Sequence, residues 1–427
     1  HPFRCTGAGA AQITDLCSAG LMRAVLINHC HPDTPHICGV RLREFAASLT
    51  ARGHQVVLLT APLQGHAGTA SPEAAGKLLG AHNFSEPFRL ATAAAKPGLL
   101  ALLRSTSTPR PVRQGVVLWH YLSQSGVFTD WRDGAGSFIP TLADSFQPDV
   151  IWSSFGNTDC WNIAQSLSAR AGCPWVADIK DFWSAFIARP LRRHLAGRYR
   201  DAAAFTALSN SHAEDAVAWF GGAIETIYSG LGNDALSPPQ GTERRSFSLT
   251  GAIGDPARLG ELKSAIKSWL MTLQGDTAQD LEFVYCGSDA DLVGNIFADL
   301  SDLCRVTVNG YVALDQLRDI HASAFANLYI KSERTFHHKV VELLAAGRPV
   351  ICYPEEGAEA KSLARKFGAI LHSAGSEADV ARALGESFDR YPEVSLNHDG
   401  AAQFTWDAQA EKLEAVLLDA IKGGRRG

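Results

Sequence analysis

Apolar residues in this chain fall in short runs separated by longer amphipathic stretches, and that alternation predicts most of the architecture. The first run, RAVLIN at 23–28, has the character of a buried strand. A polar loop, HCHPDTPHICG, follows. The next stretch, VRLREFAASLTARG at 40–53, puts Leu42, Phe45, Ala46 and Leu49 on one helical face, with Gly53 as the stop. HQVVLLTA at 54–61 resumes as a second buried strand. Strand, helix and strand in that order make a parallel β-α-β unit, the opening of a doubly wound sheet.

Residues 62–115 are rich in Ala, Gly, Ser and Pro, and predict no firm element. The rhythm returns with the strand PDVIWSS (148–154), a helix over 161–172 that ends at Gly172, and the strand PWVADIKD (174–181). AAAFTALS (202–209) and ETIYSG (225–230) read as the last two strands of this half. NDALSPPQGTERR (233–245) has the composition of an interdomain linker. A second α/β series begins beyond it. Its strands are SFSLTGAIG, LEFVYCG, VTVNGYV, FANLYI, PVICY and GAILHS, with helices such as VALDQLRDIHASA and HKVVELLAAG between them. The final helix, WDAQAEKLEAVLLDAI, aligns Leu413, Val416, Leu417 and Ala420 on one side and needs a surface to dock on. The expected organisation is an α/β chain of two Rossmann-like domains, over 22–235 and 246–403. Residues 404–421 return to the first domain, and 1–21 form a flexible or added leader.

Composition narrows the function class. A chain of 427 residues suits two cores, and 46% hydrophobic with 19% charged residues is globular. The net charge of −5 lacks the basic surplus of a nucleic-acid binder. Nine cysteines without a regular framework suit reduced thiols, hence a cytoplasmic protein. No apolar run reaches the length of a membrane span. Two basic, apolar segments, 96–113 and 188–200, read either as solvated surface or as peripheral contacts for a membrane or lipid-linked acceptor.

Several residues carry candidate chemistry. Glu342 sits among Val340, Val341, Leu343 and Leu344 on a short helix. A carboxylate there is costly to bury without a partner, and it can accept two hydrogen bonds from a diol. His337, His338 and Lys339 open the same helix, where amides and a cation suit an anion; otherwise Lys339 is a solvated helix-start lysine. Asp178 and Asp181 end a strand, where doubly wound sheets place ligands, and both are candidate catalytic groups. Asp181 reads as a proton acceptor or as the N-cap of the following helix. His31, His36 and Gly39 belong to the loop after the first strand. The spacing of His29, Cys30, His31, His36 and Cys38 matches no standard zinc pattern, so no metal is expected.

The ordered series of motifs resembles the family 4 retaining glycosyltransferases of the two-domain type B (GT-B) fold. FHHKVVELLAAGRPVICY (336–353) is similar to the family's donor segment, in which an acidic helix runs into A-x-G-x-P-V-I. VADIKDFWS resembles its D-x-R-D-x-W, FTWDAQAEKL its closing F-x-W helix, and the first strand–loop–helix with Gly39 its acceptor-side loop. VNGYVALDQL resembles the segment whose backbone, at Gly310, Tyr311 and Val312 here, meets the nucleobase. The resemblance implies sugar transfer from a nucleotide sugar to an acceptor hydroxyl, with retention and with no metal or cofactor. It gives Glu342 the ribose, and Lys339 with the amides about His338 the diphosphate, followed by Arg334 and Lys331. Arg334 stands where many members carry a second glutamate. Two alternatives share the fold: a nucleotide-sugar-binding or regulatory protein without turnover, and a nucleotide-sugar epimerase.

Overall fold

The computed structural model describes residues 20–34, 36–95, 109–236, 245–331 and 336–424. By packing, the chain divides into one unit of residues 1–229 with 409–427 and a second of 230–408. The expectations for a leader over 1–21 and a linker over 233–245 fall largely outside the described residues.

The first unit opens with β1 (Arg23–Ile27), α1 (Ile37–Ala51) and β2 (Gln55–Thr60). α2 (Pro72–Ala81) and β3 (Phe88–Ala91) follow, in the stretch where no element was expected. The helix signal was local: the Ser71 side chain accepts the Ala74 amide, and Pro72 is pre-set for the first turn. β3 is too short to show alternation. Next come α3 (Arg110–Gln124), α4 (Thr129–Gly136), β4 (Val150–Ser154), α5 (Thr158–Ala171) and β5 (Trp175–Ile179). β6 (Ala204–Ala207), α6 (Asn210–Phe220) and the two-residue β7 (Glu225–Thr226) complete the series. Gly172 ends α5 in the left-handed conformation, φ +67°.

All pairings in this sheet are parallel, in the order β3-β2-β1-β4-β5-β6-β7. Helices cover both faces of such a sheet, so its strands read as unbroken apolar runs. The packing on one side is aromatic. Trp161 stacks on Trp183 with ring centroids 5.6 Å apart, and Trp175 and Tyr199 close on the same cluster.

The second unit repeats the plan. β8 (Ser246–Thr250), α7 (Pro256–Leu270), β9 (Glu282–Cys286), α8 (Ala290–Phe297), β10 (Arg305–Asn309) and α9 (Leu314–Ser323) come first. β11 (Ala324–Ile330), α10 (Lys339–Ala345), β12 (Val350–Tyr353), α11 (Ala358–Phe367), β13 (Leu371–Ser373) and α12 (Glu377–Arg390) complete it. The sheet is again parallel, ordered β10-β9-β8-β11-β12-β13.

α13 (Trp406–Gly424) returns to the first unit. It buries Ala410, Leu413, Leu417, Ala420 and Ile421, while Val416 is half-buried. The Gln409 side chain accepts the Tyr228 amide at 2.9 Å. Glu414 takes Arg52 and His54 at 2.5 and 2.8 Å, so polar contacts add to the apolar stripe in fixing the helix. Both sheets reverse direction of travel once, between β1 and β4 and between β8 and β11. Crevices at the carboxyl ends of such strand pairs are where open α/β sheets hold ligands.

Candidate functional site

In the first unit, the reversal point is built from the loop after β1 and the exits of β4 and β5. The Asn28 amide reaches across to the Ser154 carbonyl at 3.4 Å and its oxygen accepts the Cys30 amide. The loop then folds down onto the start of α1. A Cβ on Gly39 would lie 2.4 Å from the His31 carbonyl oxygen, so no side chain fits there. His36 caps α1, its Nδ1 accepting the Cys38 amide at 3.2 Å. His31 accepts the Asp33 amide, and burial lowers its pKa despite the Asp33 carboxylate. The loop histidines therefore shape the loop.

Asp178 was expected as a catalytic group from its place on β5, and the geometry corrects this. It is fully buried, and its oxygens accept from Arg41 Nε and Nη2 at 3.3 and 3.0 Å, from Ser154 at 2.8 Å and from Thr206 at 2.8 Å. A carboxylate so engaged has no room to take a proton. It anchors Arg41 of α1, whose guanidinium also lies over Phe45 and Trp152.

Asp181 is different. It is about a quarter exposed and pairs with Lys180 at 2.5 Å through one oxygen. The cap expectation is not met: Phe182 is the N-cap residue of the short helix Trp183–Phe186, and Asp215 takes the Ser184 amide. Lys180 is a group that sequence reasoning missed. Burial lowers its pKa, but Asp181 and the Cys38 thiol together more than offset this and raise it. Burial raises the Cys38 thiol, and hydrogen bonds from His36 and Lys180 bring it below its ordinary value. Behind them His212 is held neutral, pushed down to about 3 by burial and by the Lys180 and Arg41 charges.

In the second unit, Lys339 spans the reversal point between β8 and β11. Its Nζ donates to the Thr250 carbonyl at 3.0 Å and lies 5.6 Å from the centre of the Tyr329 ring. The approach depends on Gly251, which has φ +95° and whose added Cβ would meet Lys339 Nζ at 2.8 Å. Burial pushes the Lys339 pKa down to about 8. Glu342, one turn along α10, is 35% exposed at its side chain while its four apolar neighbours are buried. Burial raises its pKa, but the hydrogen bond and charge of His338, with Arg318 further off, leave it lowered, so it is ionised. Its contact with His338 is 3.5 Å through one oxygen.

The remaining expectations divide. The amides of Val340 and Val341 already donate to the His337 and His338 carbonyls, each at 3.0 Å, so the expected supply of free amides is smaller than the sequence implied. His337 is neutral, pushed to about 4 by burial and the nearby Lys339 and Lys331 charges. His338 Nδ1 is buried and has no hydrogen-bond partner among the described residues. Gly310, Tyr311 and Val312 lie at the exit of the edge strand β10, and Tyr311 is 75% exposed. Lys331 donates to the Glu355 carbonyl at 3.1 Å. Arg334 lies outside the described residues. His321, which the sequence did not single out, faces Thr250 and Glu342 and is held neutral at about 4 by burial. Among the described residues no group of three or more His, Cys, Asp or Glu could hold a metal ion. A cavity of about 690 Å³ between α7 and α12 contains none of the expected residues.

Comparison with solved structures decides the architecture. A glycosyltransferase of Rickettsia africae superposes with a TM-score of 0.60 at 10% identity, over 94% of this chain and 99% of that one. Anabaena HepE in complex with UDP-glucose does so with a TM-score of 0.54 at 12% identity, over 95% and 98%. The chain has the GT-B fold. A Listeria monocytogenes protein whose proposed activity is that of a UDP-N-acetylglucosamine 2-epimerase shares it, with a TM-score of 0.56 at 11% identity over 94% and 97%. No family model and no curated protein gives a significant match to this GT-B chain. Among the described residues no helix is long and apolar enough to cross a membrane.

Proposed function

We propose that this GT-B protein transfers a sugar from a nucleotide-sugar donor to an acceptor hydroxyl, with retention and without an essential metal. The second unit binds the donor. Lys339 carries the reading: an ammonium tied to the Thr250 carbonyl at the sheet's reversal point, one helical turn from an ionised, part-exposed Glu342. Lys339 neutralises the diphosphate and Glu342 takes the ribose hydroxyls. The backbone of Gly310, Tyr311 and Val312, at the exit of β10, meets the base. In the first unit, Asp181 holds the acceptor hydroxyl or accepts its proton, with Lys180 fixing the carboxylate.

The solved structure of HepE with UDP-glucose makes uridine nucleotides the first to try. Glu342→Ala should weaken nucleotide binding by about 1–3 kcal/mol, the loss of a charged hydrogen-bond partner. Calorimetry against a nucleotide panel reads this directly, and unchanged affinity removes Glu342 from the site. Incubation with the nucleotide sugar alone separates the epimerase alternative, which would yield the epimeric donor with no acceptor present. Nucleotide binding with neither transfer, donor hydrolysis nor epimerisation would support the non-catalytic alternative.

The proposed phosphate contact also fixes a pH dependence. Lys339 is cationic below about 8 and neutral above it. Affinity for a nucleotide sugar, whose diphosphate diester holds no proton in this range, should therefore fall as pH rises through that value. Lys339→Met should flatten the profile. A wild-type profile already flat through this range would remove the ammonium from the phosphate contact.

A further inference from the structure

We propose that α3, with the basic segment that meets its end, docks the first unit onto an anionic lipid surface. This goes beyond sugar transfer and does not rest on it. α3 buries none of its residues. Val112, Leu118, Trp119 and Leu122 are 54%, 42%, 65% and 53% exposed. At 100° per residue they fall, with Gly115, on a continuous apolar arc of one helix. An exposed tryptophan flanked by aliphatic side chains suits the boundary between headgroups and acyl chains, where an amphipathic helix lies in the plane of the membrane.

Charge selects lipid over other occupants. α3 carries the exposed Arg110, and Arg113 whose Nε is buried, and no acidic residue. Its C-cap residue, Ser125, accepts the Tyr199 hydroxyl at 3.2 Å, which places the end of the 188–200 segment beside it. That segment adds the exposed Arg189, Arg193, Arg198 and Arg200, again without a carboxylate, while Arg192 is taken up by the Ile187 and Ser184 carbonyls and the Trp219 ring. Both stand in a chain of net charge −5, so the cationic character is local. Phe186, 57% exposed just before this segment, supplies a second apolar contact. A binding surface that joins an apolar arc to arginines matches anionic headgroups over acyl chains, and each basic residue near such a surface adds attraction that salt screens.

The test is co-sedimentation of the full chain with vesicles of phosphatidylcholine alone or mixed with phosphatidylglycerol, at low and high salt. Binding is expected to the mixed vesicles only, and to weaken with salt. The double variant Trp119→Ser/Leu122→Ser should lower the bound fraction at least about tenfold, since it removes two exposed apolar side chains that insertion would bury. Arg110→Glu with Arg193→Glu should abolish the preference for the anionic lipid. Thermal unfolding of these variants is measured in parallel and should match the wild type, which separates a lost surface from a lost fold. Absent sedimentation of the wild type, or sedimentation that the double variant leaves intact, overturns the proposal. So does a wild-type dimer by light scattering that the double variant converts to monomer, because the arc would then be covered by a second copy.

Discussion

Replacing Asp178 with alanine is expected to destabilise the first unit by about 3–5 kcal/mol. The carboxylate and Arg41 form a two-contact ion pair in which both side chains are essentially shielded from solvent. Removing one partner strands the other charge in a low-dielectric interior and also leaves the Ser154 and Thr206 hydroxyls without their acceptor. The loss should appear in the urea transition of the first unit, while the second unit, which shares none of these groups, keeps its own midpoint. Exchanging Arg41 and Asp178 together for apolar residues should cost less than either single change, because no bare charge remains. A single alanine variant as stable as the wild type would show that water reaches Arg41, and the scaffold assignment would fail.

Asp181→Asn should lower turnover by about 10²–10⁴-fold while leaving donor affinity unchanged, the signature of a lost general base. Asparagine keeps the shape and a hydrogen-bonding oxygen but cannot take a proton. Lys180 loses a charged partner in the same change, and Cys38 remains beside it. A thermal melt of the variant therefore belongs with the kinetics, so that lost activity is not mistaken for lost fold. Turnover near the wild-type rate would reduce Asp181 to a neighbour of Lys180.

The sequence made the sheets legible and the polar contacts mostly not. Buried parallel strands announce themselves as Val, Ile and Leu runs, and VLI at the first strand or FANLYI in the second unit could hardly be anything else. α10 was legible too, because Gly347 and Pro349 punctuate it and Glu342 interrupts its apolar face. α2 was missed although Ser71 and Pro72 mark its start, because its apolar face is thin: Ala75 and Leu79 are its buried residues. The corrected reading of Asp178 has a different origin. Its partner Arg41 is 137 positions away in sequence, and no local pattern pairs a helix arginine with a strand carboxylate at that distance. Lys339 was chosen for its place at a helix start, yet what defines its environment is the Thr250 carbonyl 89 positions earlier. Charges whose partners come from the other side of a sheet reveal their roles only once the sheet is assembled.

The return of α13 bears on how the protein is made. Residues 409–424 leave the ribosome after the whole of the second unit has done so. Until then Tyr228, Arg52 and His54 wait for Gln409 and Glu414. The second unit, continuous from 230 to 408, can close during synthesis, whereas the first cannot finish its surface until residues 409–424 have followed. The earlier-made half is thus the later to mature, and a nascent chain stalled in between would display an open apolar groove to chaperones.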